Sequence, residues 1–293
     1  MIKRYQYRCT FKDDYDEKSY QEAVAKCREK SAQAISSGQF CNISFYRYEN
    51  MGFVYVEKIC GKRDDGRENG SMEKDIDARG NVREIIEREE FATNESIREE
   101  ADINERKKPE MAEFTANEST REEEIENLVG NILADIKSFL KIWPREERDT
   151  YFVPMINVYY HHIPEEDLDI WEKERTTATK TRVGRVAFVY PDKLTSYILH
   201  HKEIVDEGLL RGDKYAYISM HENLLFSYYE EPRNNVNITG SDQESKAIER
   251  WLAVDPESHF DRVKAKGDNF LVIPCLFSVD RVDGFICPQG LQP

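Results

Sequence analysis

The stretch ISFYRYENMGFVYVEK, residues 43–58, has a counterpart much later in the chain, YAYISMHENLLFSYYEEP, residues 215–232. Aligning Glu49–Asn50 with Glu222–Asn223 brings the residues on both sides into register. In each copy, residues of high strand propensity run up to a short polar turn and away from it, as in two tightly joined antiparallel strands. Each copy therefore predicts a β-hairpin, and the pair indicates an internal duplication.

The segments around the two hairpins also match in order. Each hairpin follows an opening strand, RYQYRCTF or RVGRVAFVY, and a helix begun near KSYQEAVAKCREKSAQAI or DKLTSYILHHKEIVDEGLL. Each precedes an amphipathic helix, EIENLVGNILADIKSFLKIW or ESKAIERWLAV, and a strand, DTYFVPMINVYY or DNFLVIPCLFSV. The order β-α-β-β-α-β, found twice, predicts two ferredoxin-like repeats in an α+β fold.

A sheet of this type carries helices on one face and leaves the other apolar face in need of a partner. Two repeats in one polypeptide cover each other's open faces, which predicts a pseudo-dimeric α+β barrel. We place the first repeat at residues 1–165, a linker at 166–180, and the second repeat, with the active site, at 181–293.

The first repeat contains a charged insertion at about residues 61–125, where Asp, Glu, Lys and Arg dominate. The insertion contains a short internal repeat, FATNESIREE from Phe91 and FTANESTREE from Phe114. The Asn-Glu-Ser in each copy is typical of a helix cap. Two small solvated helices or a disordered run are the expected structures, and a protein-docking arm is the functional alternative.

Composition excludes several classes of protein. The formal charge of −15 over 293 residues argues against nucleic acid as a partner. The six cysteines include no CxxC pair and the N-terminus lacks the apolar core of a signal peptide, so we expect reduced thiols and a cytoplasmic location. The apolar runs are far shorter than the roughly 20 residues that cross a bilayer, so no membrane partner is expected.

The helix from about Lys193 carries an apolar stripe that includes Tyr197 and His201. These two residues are i and i+4, and so lie on the same face of the helix, whereas His200 lies about 100° round it. A histidine on an apolar stripe is ordinarily a core residue. The pairing with Tyr197 makes His201 a candidate functional group, and the matching place in the first repeat has Tyr20 but Val24.

Other chemistries have less support. Adjacent histidines diverge on a helix, and no HxH or HxxxH with carboxylate support indicates a metal site. No GxSxG elbow, no cysteine near these histidines and no glycine-rich phosphate loop is present. General acid–base chemistry without a cofactor remains, for which imidazole is suited by its pKa near neutrality.

RVAFVY, SYILHHKEIVDE, KYAYIS, NLLFSYYE and ERWLAV, over about residues 181–265, resemble in that order the motifs of the L-rhamnose mutarotase family. That family is a dimeric α+β barrel that interconverts the anomers of L-rhamnose with a Tyr-x-x-x-His helix motif. The resemblance implies that His201 is the proton donor and that Tyr197 and Tyr215 contact the sugar. His259 and Phe260 stand where the family has its Trp-Trp sugar platform.

Further positions agree with the family or depart from it. Glu207 and Trp251 fall on family-like positions, while the family's Trp-Pro is Val205-Asp206 here. The expected activity is a sugar mutarotase acting on L-rhamnose or a related 6-deoxy sugar, with no cofactor or metal. Two alternatives stay open: a non-catalytic sugar-binding or regulatory protein, and another cofactor-free barrel isomerase or monooxygenase. Self-association beyond the internal pseudo-dimer is also open.

Overall fold

The computed structural model describes most of the chain outside the charged insertion. The described residues are 2–60, 123–144, 149–161, 168–176, 180–208, 211–237, 240 and 242–282. The chain divides into two units, Met1–Gly61 with Leu128–Pro293, and Lys62–Asn127. The charged insertion predicted at about residues 61–125 lies almost wholly outside the described residues.

Twelve strands and five helices are named in chain order. The strands are β1 Ile2–Thr10, β2 Phe40–Tyr48, β3 Met51–Ile59, β4 Val153–Pro154, β5 Ile156–Tyr160, β6 Thr181–Phe188, β7 Arg211–Asp213, β8 Tyr217–His221, β9 Leu224–Glu231, β10 Asn235–Asn237, β11 Leu271–Ile273 and β12 Cys275–Asp280. The helices are α1 Glu17–Ser36, α2 over residues 123–132, α3 Leu168–Thr176, α4 Leu194–Glu207 and α5 Lys246–Ala253. No helix in the described ranges is long and apolar enough to cross a membrane.

Two five-stranded antiparallel sheets form the body of the fold. The first sheet has the order β12-β2-β3-β1-β4, and the second has β5-β8-β9-β6-β11, while β7 and β10 pair separately. The two orders match strand for strand, with an opening strand and a hairpin at the centre of each. The predicted mixed α+β fold is confirmed.

Both predicted hairpins are confirmed. Tyr48 pairs with Met51 in the first, and His221 pairs with Leu224 in the second, so two residues form each turn. Glu49 and Glu222, the first residue of each turn, have φ of 53° and 56°. Two-residue hairpin loops favour positive φ because it matches the twist of the flanking strands, and a non-glycine residue adopts it at some cost.

Two bent strands connect the sheets. β4 pairs with β1 in the first sheet, and after Met155 the chain continues as β5, which pairs with β8 in the second. Likewise β11 pairs with β6, and after Pro274 the chain continues as β12, which pairs with β2. Each closing strand therefore serves both sheets.

The core between the sheets is aromatic. Its buried members are Tyr46, Tyr48, Phe53, Tyr55, Met155, Val186, Tyr217, Leu224, Phe226, Tyr228 and Ile273. The equivalent tyrosines Tyr55 and Tyr228 stack with ring centroids 3.6 Å apart and an interplanar angle of 7°. A Cβ on Gly184 would lie 2.5 Å from the Tyr46 ring, so this close approach requires glycine.

The helix α3 lies within the predicted linker 166–180. Trp171 and Arg175, one helical turn apart, are both buried, and the Arg175 guanidinium lies 4.0 Å from the centroid of the Trp171 ring. The Trp171 indole donates to Glu57 Oε2 at 2.7 Å. This segment therefore closes part of the core rather than merely joining the repeats.

Arg175 belongs to a buried group of charges that we call the central network: Arg4, Glu57, Arg175, Arg182, Glu230 and Asp280. Arg175 lies 2.8 Å from Glu230 and 3.7 Å from Glu57, which occupy equivalent places in the two hairpins. Arg4 lies 3.8 Å from Glu57, and Arg182 contacts Asp280. Three guanidiniums thus face three carboxylates, so each charge has an opposite charge nearby.

Candidate functional site

The helix α4 presents its apolar stripe to the second sheet. Tyr197, His201 and Ile204 are its buried residues, at the i, i+4 and i+7 spacing that marks one helix face. Tyr197 packs with residues of the second sheet on the side away from the first sheet. The helix ends at Gly208, whose φ of 65° is the left-handed C-terminal conformation that glycine favours. We call the residues between α4 and the second sheet the α4 layer.

The helix α5 covers the outer side of this layer. Glu207, at the end of α4, accepts hydrogen bonds from the backbone N–H groups of Lys246 and Ala247, at 2.9 and 3.1 Å, and from the Ser245 hydroxyl. A carboxylate at a helix N-terminus satisfies free N–H groups and complements the helix dipole. The contact holds α5 against α4, so that Trp251 packs over the α4 layer.

His201 lies among aromatic rings. Its imidazole stacks on Tyr197 with centroids 3.9 Å apart, and it meets Trp251 and Tyr159 edge-on at 5.0 and 5.8 Å. Its Nδ1 lies 2.8 Å from the backbone carbonyl oxygen of Tyr197. Because a carbonyl only accepts, Nδ1 carries the proton and Nε2 is left with a lone pair.

Burial lowers the pKa of His201 to about 4. The imidazole is therefore neutral at pH 7, with Nε2 able to accept a proton. The sequence analysis gave His201 the role of proton donor, but the Nδ1 proton is already engaged by the Tyr197 carbonyl. The neutral His201 ring is therefore suited to accept a proton at Nε2.

The Tyr197 side chain is fully buried, and its hydroxyl has no hydrogen-bond partner within the part of the chain that the structure describes. Burial also raises the pKa of this phenol well above its usual value, so the hydroxyl stays protonated. A buried hydroxyl without a partner costs free energy that a ligand oxygen can recover. Tyr197 is thus a hydrogen-bond donor available to a ligand.

His259 and Phe260 also lie in the α4 layer. The His259 Nε2 accepts from the Ser196 hydroxyl at 2.9 Å, and its Nδ1 lies 3.3 Å from the Asp255 carbonyl oxygen. Phe260 meets Tyr197 edge-on at 5.8 Å. Both ring nitrogens of His259 are therefore occupied, which is typical of a positioning residue, while Phe260 supplies an apolar wall.

The structure places Tyr215 in a different environment from His201. Its hydroxyl donates to Glu174 on α3, and the Arg175 guanidinium lies 4.3 Å from its ring centroid. Tyr215 lies in the turn between β7 and β8, outside the strands of the second sheet. Tyr197, His201, His259 and Phe260 are brought together, and Tyr215 is not brought to them.

Arg185 is a member of the α4 layer that the sequence analysis missed. One of its guanidinium nitrogens donates to Ser227 Oγ at 3.0 Å, and its guanidinium carbon lies 4.5 Å from the Tyr229 ring centroid and 4.8 Å from that of Phe270. Its Nε is buried and has no hydrogen-bond partner in the described part of the chain. The available signal was a charged residue inside the apolar strand RVGRVAFVY.

Tyr159 and Asp213 were missed as well. Tyr159 contacts His201 from β5, and burial raises its pKa to about 12. Asp213 is buried, burial raises its pKa, and its Oδ2 has no hydrogen-bond partner among the described residues. Tyr159 could not be found by comparing repeats, because it comes from the closing strand of the first repeat.

The first sheet lacks this polar set. Counting from the hairpin turns, Ser227 corresponds to Val54, and Arg185, the cross-strand partner of Ser227, corresponds to Tyr7. Apolar or aromatic residues thus occupy the three places that match Arg185, His201 and Ser227, namely Tyr7, Val24 and Val54. The candidate site therefore belongs to the second sheet alone.

Within the described residues, no group of three or more His, Cys, Asp or Glu side chains is placed to hold a metal ion.

Searches found no matching family model and no matching curated protein. A solved structure described as "Putative monooxygenase", from Fusobacterium nucleatum subsp. nucleatum ATCC 25586, is similar over 99% of this chain and 98% of that one. Its TM-score is 0.35 and its identity 10%, a level of likeness that carries no inference about activity.

Proposed function

We propose that this protein is a cofactor-free enzyme that moves protons on a small oxygen-rich molecule bound in the α4 layer, and that its reaction is sugar mutarotation. One observation carries the proposal: a neutral imidazole, His201, is stacked on a phenol, Tyr197, whose buried hydroxyl has no partner among the described residues. The pair offers one proton acceptor and one hydrogen-bond donor side by side. Mutarotation needs that combination and no metal or nucleotide.

The reaction follows from these two groups. The His201 Nε2 takes the proton of the anomeric hydroxyl while Tyr197 donates a hydrogen bond to the ring oxygen. The bond between the anomeric carbon and the ring oxygen breaks, leaving an open aldehyde and an alkoxide oxygen that takes the proton of the Tyr197 phenol. The resulting hydroxyl returns this proton to Tyr197 when it attacks the aldehyde. An imidazolium is unfavourable in this buried place, so it returns its proton when the aldehyde closes on either face.

The fold is compatible with this assignment. We interpret the two matched sheets as ferredoxin-like βαββαβ repeats fused into a pseudo-dimeric barrel, in which the second repeat carries the site. The aromatic rings of Trp251, Phe260 and Phe270 suit the apolar faces of a 6-deoxy sugar, and L-rhamnose is the first substrate to test. In this proposal His259 and Phe260 border the sugar site, whereas Tyr215 lies outside it.

Anomer exchange measured by saturation-transfer NMR tests the proposal, over a panel of 6-deoxy sugars that begins with L-rhamnose. The wild-type chain should accelerate exchange, and His201→Gln should lower the enzymatic rate by about 10²–10⁴-fold, the usual worth of a positioned general base. His200→Gln is the matched control, since this neighbouring histidine does not share the buried face with Tyr197. Undiminished exchange in His201→Gln would show that His201 is not the base.

The aromatic surroundings of His201 also favour a second function, a cofactor-free isomerase or monooxygenase acting on an aromatic or lactone substrate. There the neutral imidazole would remove a proton from a phenol or enol. Oxygen uptake with a hydroquinone, absent in His201→Gln, would support it. Sugar binding in calorimetry without faster exchange would instead indicate a binding protein.

A further inference from the structure

We propose that Arg185 forms a carboxylate-binding position in the α4 layer. Resting on the function proposed above, this makes the substrate a sugar acid such as a hexuronate, whose C6 carboxylate replaces the methyl group of a 6-deoxy sugar. The proposal concerns the substrate class and is separate from which group moves the proton.

The guanidinium of Arg185 is not fully hydrogen-bonded among the described residues. Arginine carries five N–H donors. The donation to Ser227 Oγ engages one of them, and the buried Nε engages none in the described residues. A buried donor left without an acceptor is costly, so a ligand that supplies an oxygen acceptor gains that free energy on binding.

The charge of Arg185 also lacks a contacting carboxylate among the residues that the structure describes. Arg175 and Arg182, also buried, each lie against a carboxylate. Arg185 forms no such ion pair within the described ranges. The carboxylate whose charge acts on it is Asp213, and Arg233 nearby adds a second positive charge. An ion taken out of water without a partner is unfavourable, and a bound carboxylate would supply the missing charge.

The site is preorganised for a planar anion. The centroids of the Tyr229 and Phe270 rings lie 4.5 and 4.8 Å from the guanidinium carbon, so both rings restrict the position of the guanidinium. Arg185 is also close enough to Tyr197 for its charge to favour the phenolate. A guanidinium binds a carboxylate through two parallel hydrogen bonds. A carboxylate on Arg185 would therefore lie on the same side of the second sheet as Tyr197.

Calorimetry with matched sugars tests this proposal on the full chain. The probes are D-galacturonate against D-galactose and D-glucuronate against D-glucose. We expect each uronate to bind about 10–100-fold more tightly than its neutral parent, as a charge-assisted pair predicts. Arg185→Gln should reduce that ratio towards one. Arg47→Gln should keep the ratio, since this arginine stacks on Phe11, Tyr15 and Tyr20 of the first repeat.

Each outcome decides between the proposals. Equal binding of uronate and parent by the wild type, or no binding of any probe, would overturn the carboxylate position, and this comparison does not depend on a variant folding. A ratio unchanged in a folded Arg185→Gln would also overturn it. Exchange of neutral sugars with no uronate preference would remove only the inference about Arg185. Arg185-dependent uronate binding without anomer exchange would remove only the proposed mutarotation.

Discussion

Two buried polar regions of this protein differ in how their groups are paired. In the central network between the sheets, Glu57 accepts from the Tyr55 hydroxyl and the Trp171 indole, and Glu230 accepts from Arg175 and Tyr228. In the α4 layer, Arg185 has no ion-pair partner and the Tyr197 hydroxyl no hydrogen-bond partner among the described residues. In the central network, Glu230 Oε2 and Arg182 Nε also lack a hydrogen-bond partner, but each charge there has an opposite charge nearby. Both regions are enclosed by aromatic rings, so burial alone does not distinguish them.

The difference indicates different roles. Paired buried charges are satisfied by the protein itself and hold two equivalent strands and α3 in one arrangement. Unpaired buried groups cost stability, and proteins retain such costs mainly where a ligand or a reaction uses them. The central network is therefore the structural region, and the α4 layer is the region to test for binding and catalysis.

The largest effect on stability is expected from Arg175→Met. This change removes the cation between Glu57 and Glu230 while keeping a long apolar side chain. Glu230 loses its ion-pair partner, and Glu57 keeps only Arg4, at 3.8 Å. The free energy of unfolding should fall by about 3–5 kcal/mol, measured by urea denaturation. Lys173→Met, on the exposed side of α3, should change it by less than about 0.5 kcal/mol. A wild-type stability in Arg175→Met would contradict a structural role for the central network.

The α4 layer should make stability depend on pH. His201 has an ordinary pKa of 6.5 and a folded pKa of about 4, because burial disfavours the imidazolium. Between these values the unfolded chain binds the proton and the folded chain does not. The contribution is fully present above pH 6.5 and is lost as the pH falls to about 4, by about 3 kcal/mol in total.

Urea denaturation of wild type and His201→Gln at pH 7.5 and pH 4.5 measures this contribution. Carboxylates also titrate over this range, but they are common to both proteins, so the difference between the two slopes isolates His201. We expect the variant to lose less stability on acidification. Equal losses would mean that the imidazole becomes protonated in the folded state.

The smallest effects compare one tyrosine from each region. Tyr55→Phe removes a hydroxyl that donates to Glu57 at 2.7 Å, and should lower the free energy of unfolding by about 2 kcal/mol. Tyr197→Phe removes a hydroxyl that has no hydrogen-bond partner within the described ranges, and should leave stability unchanged or raise it by up to about 1 kcal/mol. Thermal denaturation of both variants provides the measurement. A loss in Tyr197→Phe as large as in Tyr55→Phe would show that the Tyr197 hydroxyl is bonded after all.

Sequence reasoning identified part of the candidate site. The i, i+4 spacing of Tyr197 and His201 was sufficient to place both on the buried face of α4, and His259 and Phe260 lie near them. Arg185 was overlooked because a single charge in an apolar strand does not reveal what lies across it. The lowered pKa of His201 could not be predicted from the sequence either, because it depends on burial by other segments of the chain.

The sequence by itself determined the local structure: the two hairpins with their Glu-Asn turns, the stripe on α4 and the mixed α+β class. These follow from propensity and periodicity over a few residues. Only the tertiary structure decided that each closing strand serves both sheets, which brings Tyr159 to His201, and that α3 delivers Arg175 between Glu57 and Glu230. Such contacts join strand edges and charged residues that are far apart in the chain and meet only when the two sheets pack together.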